Sequence, residues 1–223
     1  MARGNSRGEI SAAIIQGIEM AACSWDRMSG EWLWAAPEHY VSSVVAQSLH
    51  EQLDKTWVCL EWSTQLTIRD ARGQPKRGRP HMRTSGTKRF DIVAFYSSGT
   101  CKPRAAIEVK HRITASLDRA LGGDFERLAI AISETNSGSS LSYGCLALYL
   151  EVADPVRKYL TSTDRVEQRQ KEILAWAKRR ALNDPKRKNL IQVRCATGDV
   201  KAFKGGAYCA MVLELTCPKK RAD

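Results

Sequence analysis

The sequence predicts an α/β fold, with a mixed central β-sheet flanked by helices. Apolar residues recur at helical spacing near the N-terminus and again over 117–134 and 163–182. Between these stretches lie short runs rich in β-branched and aromatic residues, at 57–68, 89–96, 104–111 and 143–153. The resulting order is helix, three strands, helix, strand, then further elements. A chain of 223 residues that is 43% apolar is long enough to bury a core.

Each element has a local reason. Residues 7–23 form an amphipathic helix begun by the Ser6-x-x-Glu9 capping pattern. WLWAAPEHY leads into a second helix with Pro37 in its first turn. WVCLEWSTQLTI (57–68) reads as a strand, and a polar, basic loop follows from Arg69 to about Lys88. RFDIVAFY (89–96) and RAAIEVKH (104–111) are strands joined by a Gly- and Pro-bearing connection of hairpin length. LDRALGGDFERLAIAISE (117–134) is a helix with room for a kink at Gly122-Gly123. YGCLALYLEVA (143–153) has the unbroken apolar character of a central strand. A long charged helix carries Val166, Ile173, Ala177 and Ala181 along one stripe until Pro185 stops it. LIQVRCA (190–196) and YCAMVLELTC (208–217) supply two late strands. The chain divides no further: a helical extension over 1–35, a core over 37–153, and a completing segment over 154–217 make one domain.

Charge and cysteine usage narrow the setting. Lys plus Arg number 35 against 24 Asp plus Glu, a formal net charge of +11. That surplus favours polyanionic partners, nucleic acid first. The cysteines at 23, 59, 101, 145, 195, 209 and 217 form no CxxC pair, and the four histidines are scattered, so no zinc spacing exists. Free thiols inside apolar runs point to a reducing cytoplasm. The apolar N-terminal stretch carries Glu9 and Glu19 and is too short to span a bilayer.

The chemistry concentrates in two strands. In a strand, alternate side chains share a face, so Glu108 and Lys110 point one way while Ile107 and Val109 point the other. In the preceding strand Asp91 shares its face with Val93 and Phe95. An antiparallel hairpin would bring Asp91, Glu108 and Lys110 onto one face. Two carboxylates that close repel unless a proton or a cation lies between them, and Mg²⁺ suits such oxygen donors together with substrate phosphate. The competing reading is an edge hairpin whose charges form a solvated salt-bridge cluster.

Asp91, sixteen intervening residues and then Glu108-Val109-Lys110 resemble the active-site signature of the PD-(D/E)XK nuclease superfamily, and the order of elements over 37–153 is similar to its restriction-endonuclease-like αβββαβ core. Phe90 stands where the nominal motif has proline. The resemblance implies Asp91, Glu108 and the Val109 carbonyl as ligands of Mg²⁺, with Mn²⁺ as a substitute. It implies Lys110 as the cation that orients or activates the attacking water. Many members add an acid from the first helix, and Glu38 is the candidate here. It falls on the stripe of Val41, Val45 and Leu49; a first-turn acid favoured by the helix dipole is the alternative. The activity implied is phosphodiester hydrolysis, in DNA ahead of RNA, in restriction, phage defence, repair or mobile-element processing.

Lys76, Arg77, Arg79, Arg83 and Lys88 lie in the basic loop leading to Asp91. PKRGRP within it resembles an AT-hook, whose Arg-Gly-Arg core lies in a narrow minor groove. A solvated charge run that meets phosphates without sequence preference is the alternative. Lys178, Arg179 and Arg180 offer a second phosphate contact or a wet helix face. Asp124 and Arg127 stand between approach to substrate and ordinary helix pairing, and His111 points to the opposite face as a structural residue. Target choice would come from a homodimer or a partner subunit. A DNA-binding subunit without turnover, a degenerate nuclease and an RNA-directed nuclease are the other functional readings.

Overall fold

The computed structural model describes residues 6–71, 88–97, 102–113, 116–133, 139–141, 143–153, 160–184 and 190–217. In chain order these form α1 (Arg7–Ser29), a 3₁₀ turn (Leu33–Ala35), α2 (Glu38–Gln52), β1 (Thr56–Ser63), α3 (Thr64–Ala71), β2 (Arg89–Tyr96) and β3 (Pro103–Lys110). There follow α4 (Leu117–Ser133), β4 (Tyr143–Val152), α5 (Ser162–Asn183), β5 (Gln192–Thr197), β6 (Lys201–Phe203) and β7 (Gly206–Thr216). The strands make one seven-stranded sheet in the order β1-β2-β3-β4-β7-β5, with β6 paired to β7. Among the described residues only β3 and β4 run parallel; the other pairs are antiparallel, so the sheet is mixed.

Helices cover both faces. Ile10, Ile14 and Ile18 of α1 and Val41, Val45 and Leu49 of α2 pack on Ile92, Ile107, Val109 and Val212. On the opposite face, Ile68 of α3, Leu121, Phe125 and Leu128 of α4, and Ile173 and Trp176 of α5 pack on Val93, Leu146, Leu148 and Leu213. Alternation along β3 divides its side chains between these layers. The two helices of the first layer cross closely at Gly17, where an added Cβ would sit 2.8 Å from Val45 Cα. This contact sets how near α1 lies to α2.

The N-terminal helix carries both arms of the Ser6–Glu9 capping box and runs six residues past the expected end at Cys23, to Gly30 in a left-handed cap (φ 70°). Pro37 is the N-cap of α2 and not a first-turn residue. The expected strand over 57–68 is corrected: it ends at Ser63, and Thr64–Ala71 is helical. Thr64, Thr67, Ile68 and Ala71 are buried at helical spacing, so this periodicity prevails over β-branched composition. Thr67 Oγ1 also donates to the Ser63 carbonyl at 2.9 Å. The expected kink at Gly122-Gly123 does not interrupt α4, and β6 is an additional short strand.

Cys23, Cys145, Cys195 and Cys209 are free thiols. Among the described residues, no helix is long and apolar enough to cross a membrane.

Candidate functional site

The β2–β3 register sets Ile92 opposite Ile107. Continued one step, that register would set Asp91 opposite Glu108, and opposed residues of an antiparallel pair share a face. The backbone ladder opens at this point, and the Val109 N–H donates to Asp91 Oδ2 at 2.7 Å. The amide and carbonyl of one residue in an extended strand lie along the same edge. The Val109 carbonyl is therefore directed toward the side on which Asp91 sits.

This corner is not an exposed edge. β3 lies between β2 and β4, and Glu108 is 1% exposed. The reading of Asp91, Glu108 and Lys110 as a solvated edge cluster is thereby excluded for Glu108. A carboxylate at that depth needs a partner. Arg127, on the facing side of α4, supplies one: its Nε donates to Glu108 Oε1 at 2.5 Å, and its Nη2 donates to Asp124 Oδ1.

Lys110, the last residue of β3, reaches both helical layers. Its Nζ donates to Glu38 Oε1 of α2 at 2.9 Å and lies 3.4 Å from Asp124 Oδ2 of α4. His111 then turns to the α2 side, where its Nε2 lies 2.8 Å from the Ala36 carbonyl. A carbonyl only accepts, so Nε2 carries the proton. This bond ties the end of β3 to the start of α2, close to Glu38.

The surroundings perturb each ionisable group. Burial raises the Asp91 carboxyl above its usual range, against the lowering pull of the Val109 N–H and Lys110. Burial pushes the Glu108 carboxyl well upward, opposed by its hydrogen bond from Arg127. Burial would lower the Lys110 ammonium, but Asp124 and Glu38 together raise it, so the side chain holds its proton.

The fold thus brings together Asp91, Glu108, Val109, Lys110 and Glu38. Glu38 meets Lys110 and not the two acids, which places it beside the proposed ligand set. Asp124 and Arg127 belong to the same charged group, although the sequence left their role open. Their i,i+3 spacing in the helix that follows the Glu-Val-Lys strand is the pattern that could have marked them. Lys88 is exposed at the entry to β2, three residues before Asp91. Lys76, Arg77, Arg79 and Arg83, with the AT-hook-like segment, lie outside the described residues. Lys178 and Arg179 are exposed on α5, while Arg180 pairs with Asp118 at 2.8 Å.

Among the described residues, no group of three or more His, Cys, Asp or Glu side chains is arranged to hold a metal ion. Asp91, Glu108 and the Val109 carbonyl are a smaller donor set, two hard carboxylates and one carbonyl. Such a set suits Mg²⁺, which binds through one or two carboxylates and takes water and phosphate for the rest. A groove of about 600 Å³ lies elsewhere, between α4 and α5, lined by Phe125, Trp176 and Arg180. It includes none of the five residues at the end of β3. The chain matches no family model, no curated protein and no solved structure.

Proposed function

We propose that this protein is a Mg²⁺-dependent nuclease of the PD-(D/E)XK kind, hydrolysing phosphodiester bonds in DNA. The observation that carries the reading is the Val109 N–H donating to Asp91 Oδ2 at 2.7 Å beside the buried Glu108, with Lys110 two residues beyond Glu108 on the same strand. The helix–strand order around them supports a restriction-endonuclease-like core, with α2, β1, β2, β3, α4 and β4 as its parts and α3 as an insertion.

Asp91, Glu108 and the Val109 carbonyl would hold Mg²⁺, or Mn²⁺ in its place. Bound there, the ion would polarise a phosphoryl oxygen and lower the pKa of a bound water. Lys110 has a narrower task. An ammonium held protonated by Glu38 and Asp124 donates hydrogen bonds and does not accept a proton. It orients the attacking water and stabilises the negative charge that grows on phosphorus-bound oxygen. Glu38 fixes the direction of that ammonium. The net charge of +11, with Lys88 and Arg89 exposed where β2 begins, supports a polyanionic substrate passing this corner.

One observation favours a second reading, a DNA-binding subunit that keeps the fold without turnover. Glu108 and Lys110 already have internal counter-ions in Arg127, Glu38 and Asp124. Plasmid nicking separates the two. The nuclease reading predicts cleavage with Mg²⁺ or Mn²⁺ that is lost in Asp91→Ala and Lys110→Ala. A wild-type protein that shifts DNA in a gel yet cuts neither duplex nor single strands would establish the binding reading. Cleavage of RNA with DNA untouched would identify an RNA-directed enzyme.

A further inference from the structure

Resting on the metal-dependent reading above, we propose that Arg127 is a positioning residue for Glu108, held in place by Asp124. The two lie on one face of α4 and are mostly covered, each with a side-chain exposure of 15%. Leu121, Phe125 and Leu128 anchor the helix in the core at 0%, 2% and 0% exposure, which fixes its height and rotation over β3. From that seat the guanidinium uses two different donors on two different carboxylates, Nε on Glu108 Oε1 and Nη2 on Asp124 Oδ1. Asp124 presents its other oxygen to Lys110 at 3.4 Å. One carboxylate therefore sets the spacing between the cation that orients Glu108 and the cation proposed to orient water.

The planar fork of arginine matters to this arrangement. Lysine would supply the charge at a single point, without two donors in a fixed plane. If Arg127 only supplied charge, a lysine at position 127 would keep Glu108 ionised and Mn²⁺ binding at the wild-type level. If the fork positions the carboxylate, the lysine leaves Glu108 free to turn and Mn²⁺ binding weakens. The two roles therefore predict different results for Arg127→Lys.

The experiment is Mn²⁺ titration of the full chain, read by electron paramagnetic resonance of the free ion without nucleic acid, on wild type, Arg127→Met, Arg127→Lys and Asp124→Asn. Thermal melting of each variant checks folding. The expected result is a dissociation constant raised about tenfold or more in Arg127→Met, with Arg127→Lys between it and wild type, the scale usual for groups that orient metal ligands. Should Arg127→Met fail to fold, Asp124→Asn reads the same quantity, because it releases the guanidinium while keeping the side-chain shape. Unchanged or tighter Mn²⁺ binding in folded Arg127→Lys overturns the positioning role and leaves the site reading standing. A wild-type chain that takes up no Mn²⁺ overturns both.

Discussion

The backbone N–H of Val109 is bonded to a side chain, Asp91 Oδ2, at 2.7 Å, one step beyond the last β2–β3 pair, Ile92 with Ile107. One hydrogen bond thus orients an acid where the two strands stop pairing. Asp91→Asn keeps the shape and replaces a carboxylate with an amide, which is a poorer ligand for a hard cation. Cleavage should fall by more than about a hundredfold, while the melting temperature stays near that of wild type. Single-turnover cleavage and a thermal melt measure the two halves.

Lys110 is held by Glu38 at 2.9 Å, a pair whose acid side chain is 51% exposed. Pairs that open to water contribute at most about 1 kcal/mol to stability. Glu38→Gln should therefore leave folding almost unchanged. Turnover should fall by about ten- to a hundredfold as the ammonium loses its fixed direction. A large loss of stability with turnover intact would instead mark Glu38 as a helix-start acid. Lys110→Met, which removes the donor, should cost more in turnover than Glu38→Gln.

The close crossing of α1 and α2 gives a prediction about folding. An alanine methyl at Gly17 would come within 2.8 Å of Val45 Cα, a backbone atom that has to shift. Gly17→Ala should destabilise by about 1–3 kcal/mol, as overpacking typically does. Denaturant unfolding measures it, and a stability equal to wild type would show that the helices are further apart than described.

Much of this architecture is legible in the sequence, and the exceptions have physical causes. Strand β2 coincides with the run 89–96, because Asp91 is the only charged residue after its first position and Ile92–Phe95 are an apolar run buried on both faces. Segment 57–68 misleads because Thr64, Thr67 and Ile68 are β-branched residues buried at helical spacing. Strand alternation puts Glu108 and Lys110 on one face, and pairing β2 with β3 as an antiparallel hairpin brings Asp91 to them. The attachment of Arg127 to Glu108 does not, since it depends on the rotation of α4 over the sheet, and helical periodicity gives a buried face without saying which strand residue lies beneath it.

A half-buried acid away from the site gives a pH dependence. Burial raises the Glu151 carboxyl from 4.5 to about 7, against the lowering effects of Tyr149 and Arg112, and its Oε2 is buried without a hydrogen-bond partner. Between these values the folded protein binds more protons than the unfolded chain, so this residue makes stability fall as pH rises. Glu151→Gln should flatten the melting-temperature profile across that window and be the more stable protein above pH 7. Melting of both proteins from pH 4.5 to 8 tests this, and parallel profiles would show that Glu151 is freely solvated.

The central claim is that Asp91, Glu108 and the Val109 carbonyl form one cation site beside Lys110. Anomalous diffraction from crystals soaked in Mn²⁺ tests it most directly. The predicted result is a peak within about 2.0–2.3 Å of both carboxylates and that carbonyl, absent in Asp91→Asn. Saturating Mn²⁺ with no peak at this corner, or with a peak elsewhere that survives Asp91→Asn, would contradict it.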